Sequence, residues 1–172
     1  LAVGMAITIL IGLWTYDEVT YNQSFANYER IGRVMVHNGV GTYKNHPIPL
    51  AAELRSSFPG AFKHVIISTQ TQEYIISSEG KKFMQMGNYM EPSAPEMLSL
   101  RMKAGTWQGL RDPHSILISE SLSTKLYGTN RPLGKEVTIN NELHVTVAGV
   151  FEDFADNTEF KNVTFIAPWE LM

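Results

Sequence analysis

Sixteen residues without a charge open the chain, LAVGMAITILIGLWTY. Such a run has to leave water, either into a protein core or into a lipid bilayer, because helix formation satisfies its backbone but not its apolar surface. As a helix it spans about 24 Å, short of the roughly 30 Å of a bilayer core. A secretory signal peptide does not fit, because no basic segment precedes the run and no small-residue cleavage site follows it. Leu1 is not a start methionine. The reading that follows is the outer part of a transmembrane helix whose far end is missing, with Trp14 and Tyr16 at headgroup level. A buried core helix is the alternative. From Asp17 the sequence turns amphipathic, and with no proline before Asn22 residues 1–22 are expected to form one membrane helix and stalk.

The remaining residues suit a globular fold. A chain of 172 residues that is 44% hydrophobic is long and apolar enough to bury a core. A formal net charge of -3 with no basic run offers no footprint for nucleic acid. With no cysteine, disulfides, thiolate metal sites and cysteine nucleophiles are ruled out.

The clearest local signals lie in residues 113–154, PHSILISESLSTKLYGTNRPLGKEVTINNELHVTVAGVFEDF. Ile116 and Ile118 share a strand face. Ser119 or Ser121 can cap a short helix carrying Leu122 and Leu126, which Gly128 ends. Val137 and Ile139 alternate into an Asn140-Asn141 hairpin, and Val145, Val147 and Phe151 resume on the return, so Leu122, Leu126, Val145 and Val147 are expected to form a core. Upstream, Ser24 could cap a short helix with Phe25 and Tyr28, and Arg33 to His37 could be a first strand, followed by a loop from Asn38 to Asn45. Pro49 starts a helix with Leu50, Leu54 and Phe58, stopped by Pro59-Gly60. Val65 to Thr69 and Glu73 to Ser77 read as strands, with a Glu79-Gly80 turn into Lys82, Met84 and Met86. Ser93 and Glu96 have capping-box spacing before Met97, Leu98 and Leu100, and Val163 to Ile166 is a last strand.

No catalytic constellation emerges. The GTNRPLGKE stretch places five residues between its glycines instead of the four of a phosphate loop, and Glu136 stands where a magnesium-binding Ser or Thr belongs. The five histidines, His37, His46, His64, His114 and His144, have no metal-ligand spacing. Glu152, Asp153 and Asp156 lack the glycine and terminal glutamate of a calcium loop, and G-x-S-x-G is absent. Met84, Met86, Met90, Met97 and Met102 suit a core better than a binding surface. Catalytic, cofactor-binding and metal positions are therefore assigned as none, substrate- or partner-binding positions stay unassigned, and no cofactor is expected.

After the apolar helix, the segments YDEVTYNQSFANYERIGRV, PLAAELRSSFP, APEMLSLRMKAG, SILISESLSTKLYG, PLGKEVTIN and VTVAGVFEDF follow one another in an order that resembles the periplasmic core domain of MacB/FtsX-type ABC transporter permeases. The sequence departs from that pattern with Asn22 where the stalk often has an aspartate and Gly32 where it often has an aromatic. The resemblance implies an α+β, mixed two-lobed periplasmic domain, with antiparallel-rich sheets packed with short helices, behind a transmembrane and stalk helix. Residues 1–22 would be the helix and stalk, 23–105 and 155–172 a first α/β lobe truncated at its carboxyl end, and 106–154 an inserted small lobe. It further implies a non-catalytic subunit of the bacterial inner membrane, with this domain on the periplasmic side. Such a subunit would couple a cytoplasmic ABC ATPase, separate or fused, to substrate or partner handling. A permease dimer, a periplasmic adaptor protein and membrane lipid are the implied partners, with no nucleic acid among them. A membrane-anchored extracytoplasmic sensor that binds a small ligand is the rival expectation, and an extracytoplasmic hydrolase a distant third.

Overall fold

The computed structural model describes residues 2–172. Helix α1 (Ala2–Val19) has no buried residue. It is long and apolar enough to cross a membrane, with a mean hydropathy of 1.3. Its apolar residues cover all sides, so no stripe faces the rest of the chain, and the buried-core alternative is not met. The helix also stops earlier than expected. The Thr20 hydroxyl donates to the Tyr16 carbonyl at 2.8 Å, and Asn22 takes a left-handed backbone with φ 62°.

Beyond the stalk come a small hairpin, β1 (Val36–His37) and β2 (Thr42–Tyr43), and α2 (Pro49–Ser57). Then follow β3 (Gln72–Ser78), β4 (Lys81–Met90), the single turn α3 (Ala94–Met97), β5 (Met102–Gly105), β6 (Ser115–Ser119), α4 (Glu120–Tyr127), β7 (Glu136–Ile139), β8 (Leu143–Phe151) and β9 (Phe165–Pro168). Strands β3 to β9 form one sheet in the order β5-β8-β6-β9-β4-β3-β7, and a further β8–β7 pairing brings the last strand back onto the second. The ring β8-β6-β9-β4-β3-β7 is thereby closed, and β5 rides on the free part of the β8 edge. Closure removes most of the exposed ladder that an open sheet would present.

The interior follows from strand alternation. All ring strands contribute to one core, which contains Ile76, Tyr89, Ile116, Ile118, Val137, Ile139, Val145, Val147 and Phe165, and α4 plugs it with Leu122 and Leu126. The intervening residues Met90, Leu117, Phe151 and Ile166 face a second, outer core with Phe25, Leu98 and Leu110. Strands β6 and β9 are buried on both sides, which is why FIAP is wholly apolar and SILIS has an unbroken apolar centre between its two serines. Gly87 lies opposite Phe165 in the parallel β4–β9 pair, and a Cβ there would come within 2.2 Å of the ring, so the aromatic occupies the space of a missing side chain.

Several local readings are met. Ser119 caps α4 by accepting from the Leu122 N–H at 3.2 Å, and Gly128 closes it with φ 64°. Asn140-Asn141 and Glu79-Gly80 all have positive φ, the geometry of tight hairpin turns. The sheet runs continuously through residues 106–154: β6 pairs with β9 and β7 with β3, and Leu122 and Leu126 share their core with Ile76 and Tyr89. Other readings are corrected. Residues 65–69 form only a Ser68–Met90 bridge instead of a strand. Ser24 caps no α-helix: Tyr28–Arg30 is a single 3-10 turn. Ser93 makes no side-chain capping bond, its own backbone being helical at φ -86° and ψ -6°, and Glu96 is drawn to Lys63 at 3.0 Å instead of back toward Ser93.

Leu126→Ala removes a fully buried side chain from the plug and is expected to cost about 2 to 5 kcal/mol, read as a lower urea midpoint. Tyr89 gives a pH signature. Burial foremost, and then Tyr74, push its hydroxyl up to about 12. The unfolded chain releases this proton near pH 10 while the barrel holds it, so stability falls as the pH rises from about 10 toward 12. Tyr89→Phe flattens that part of the denaturation profile if Tyr89 is its source.

Candidate functional site at the helix–barrel junction

A helix with no buried residue transmits nothing to a domain unless its end is held. Here the end is held by two asparagines, each bonded to a residue 137 positions away. The Asn22 N–H donates to the Asn157 carbonyl at 2.9 Å, and the Asn22 Oδ1 accepts from the Glu159 N–H at 2.9 Å. In return Asn157 Nδ2 donates to the Thr20 carbonyl at 3.3 Å and the Thr20 Oγ1 at 3.1 Å. Asparagine is among the few residues that tolerate the left-handed conformation this turn requires. The Thr20 carbonyl just beyond the helix end, which also accepts from the Gln23 N–H at 3.0 Å, thus gains a second partner from the loop after β8.

Aromatic packing backs the clasp. Phe25 sits edge-on to Phe154 and Phe160, with ring centroids 6.2 and 6.0 Å away. Phe154 in turn packs on Phe151 at 5.5 Å, and Phe151 is fully buried in β8. Each such pair adds about 0.5–1.5 kcal/mol to the burial itself. Arg33 grips Glu159 with both guanidinium nitrogens at 2.6 Å, but the pair is partly exposed and contributes little alone. The same loop holds the barrel plug: Asp153 accepts from the Ser121 N–H at 3.0 Å and from its hydroxyl at 2.5 Å at the start of α4. One loop therefore touches the membrane helix, the outer core and the interior helix.

A second concavity lies across the fold, an open cleft of about 470 Å³ bounded by α2, residues 58–65, the Glu91–Glu96 turn and the segment around Trp107 and Arg111. Arg55 binds the Glu91 carboxylate and donates to the Val65 carbonyl at 2.5 Å, while Glu91 also accepts from the Ile67 N–H at 2.9 Å. Lys63, hydrogen-bonded to Glu96, holds that carboxyl below its usual range, with His64 assisting.

The residues weighed for chemistry are scattered by the fold. Lys135 of the glycine-lysine turn pairs with Glu79 at 2.5 Å, so Gly134 and Lys135 build a turn and no phosphate cradle. His144 lies 2.8 Å from Glu136, and His46 bonds the Val34 carbonyl at 2.6 Å. Asp153 serves α4, and among the described residues no three of His, Asp and Glu gather as a metal site. Met90, Met97 and Met102 pack in the outer core, whereas Met84 is 65% exposed. The clasp was not identifiable from sequence: Asn22 is distinctive only as a departure from the stalk pattern, and Asn157 carries no local signal.

The sequence matches the description MacB-like periplasmic core domain along residues 1–172. The chain belongs to this family. Among solved structures it is similar to a domain of a putative permease from Porphyromonas gingivalis, with 27% identity and a TM-score of 0.58 over 72% of this chain and 57% of that one. The periplasmic region of MacB from Actinobacillus actinomycetemcomitans shares the fold at 18% identity and a TM-score of 0.57, over 73% of this chain and 56% of that one. So does the extracellular domain of the noncanonic ABC-type transporter YknZ from Gram-positive bacteria, at 17% identity and 0.54, over 70% and 61%. No curated protein matches. The chain spans between 56% and 61% of the length of these structures. It is an α+β periplasmic domain of the MacB-like ABC transporter permease family, a family generally without enzymatic activity.

Asn22→Ala forces alanine into the left-handed region and leaves the Glu159 N–H unpaired, a combined cost of about 1–3 kcal/mol. Faster hydrogen exchange confined to residues 155–160 is expected, with barrel strands unchanged. Asn22→Gly relieves the backbone part alone and falls between.

Proposed function

We propose that this MacB-like domain couples ATPase-driven motion of its membrane helix to periplasmic handling of a substrate or partner, without an active site of its own. The observation that supports this reading is the clasp of Thr20, Asn22, Asn157 and Glu159, backed by Phe25, because it ties the end of α1 to the barrel through bonds that resist both sliding and rotation. A chain end held by one flexible linker would dissipate such motion. In this role the protein works as a permease subunit in the bacterial inner membrane, facing the periplasm, with a cytoplasmic ABC ATPase as separate subunit or fused domain. A second permease copy, a periplasmic adaptor and surrounding lipid complete the assembly. Family membership favours this over the membrane-anchored sensor.

These 172 residues hold no cysteine, so labels can be placed in them one at a time once any cysteine elsewhere in the assembly is replaced. Spin labels on Asp17→Cys in α1 and Glu142→Cys in the β7–β8 hairpin report distances between protomers of the full-length permease with its ATPase, in nanodiscs. Between the nucleotide-free and vanadate-trapped states both distances are expected to change. Adding Asn22→Gly and Asn157→Ala keeps the change at position 17 and abolishes the change at 142. An unclasped barrel that moves like the wild type would sink the proposal.

A further inference from the structure

We propose that the cleft between α2 and the Glu91–Glu96 turn is a binding site for a small amphiphilic carboxylate, a compact apolar body ending in a single anionic head. Its size, about 470 Å³, lies within the range of small-ligand sites. The walls supply apolar surface in the form of three aromatic side chains, Phe58, Phe62 and Trp107. Phe58 and Phe62 are 55% and 53% exposed, unlike the aromatics of either core, and stand where a ligand body would cover them.

Charge selects the head. The cleft holds two carboxylates, and both are already engaged: Glu91 by Arg55 and the Ile67 N–H, Glu96 by Lys63 and His64. Arg111, on the same wall as Trp107, has no ion pair or side-chain hydrogen bond among the described residues. The three cations Arg55, Lys63 and Arg111 against Glu91 and Glu96 leave one positive charge over, on the one guanidinium that remains free. A guanidinium presents paired N–H donors whose spacing matches a carboxylate, so the free group at the edge of an aromatic wall specifies a carboxylate with an apolar neighbour. A cationic ligand would meet Arg111 unscreened, and a neutral one would leave it unused. This site lies apart from the clasp and does not depend on the coupling role.

The probes are N-acetyl-leucyl-phenylalanine and hexanoate, each beside its own amide, added to the full chain in nanodiscs with empty nanodiscs as blank. Trp107 emission reports binding once Trp14→Phe and Trp169→Phe have removed the other indoles. At least one acid is expected to bind saturably and at least tenfold more tightly than its amide. Arg111→Gln abolishes that difference while leaving the weak binding of the amide, and Arg111→Lys restores part of it. Tighter binding by the peptide acid assigns the site to a chain terminus, and tighter binding by hexanoate assigns it to an acyl chain. Equal binding of acid and amide, saturation by neither, or an Arg111→Gln variant as selective as its parent overturns the proposal. Equal binding that is lost in Phe58→Ala would instead mark the aromatics as a purely apolar contact face.

Discussion

The structure depends on the anchoring of a helix that buries nothing. Helix α1 buries no residue, and the hydrogen bonds and aromatic contacts that tie its end to the barrel lie between Thr20 and Phe25. Hydrogen bonds there are directional and the aromatic contacts behind them are not, and the combination fixes both the orientation and the depth of the stalk. Were either part absent, the membrane segment and the barrel would be two bodies on a tether.

What the clasp holds is rigid for a separate reason. The β8–β7 pairing closes the sheet into a ring, and α4 fills the ring from within. Strands β6 and β9 sit at its centre with apolar residues on both faces, so the inner and outer cores are two sides of the same strands. Phe25 contacts Phe154, which packs on Phe151 in the outer core, and the Asp153 carboxylate ties the same loop to the start of α4. Close packing makes such a body move as a unit.

Much of the barrel was legible from local chemistry. The residues that cap α4, turn the hairpins at Asn140-Asn141 and Glu79-Gly80, and alternate along β7 and β8 each act within a few positions of one another, so their message survives in a short window. The helix at Pro49 was legible for the same reason. Other readings failed where a distant partner intervened. Glu96 has the spacing of a capping box yet reaches Lys63, and residues 65–69 have strand composition yet meet β4 at one bridge. Sheet order was not legible because it is set by pairings such as β4 with β9, where Gly87 stands opposite Phe165, and no short window spans them.

The sequence by itself determined that residues 2–19 form an apolar helix long enough to cross a membrane, that the globular part is α+β, and that hairpins and short helices occur where turn and cap residues put them, because these outcomes rest on local composition and nearest-neighbour geometry. Only the tertiary structure decided that the strands close into one ring, that Asn157 meets Thr20, and that Arg111 stands unpaired beside Trp107. The first two are contacts between residues far apart in the chain, and the third is the lack of any such contact at Arg111; what selects them exists only once the whole core has packed.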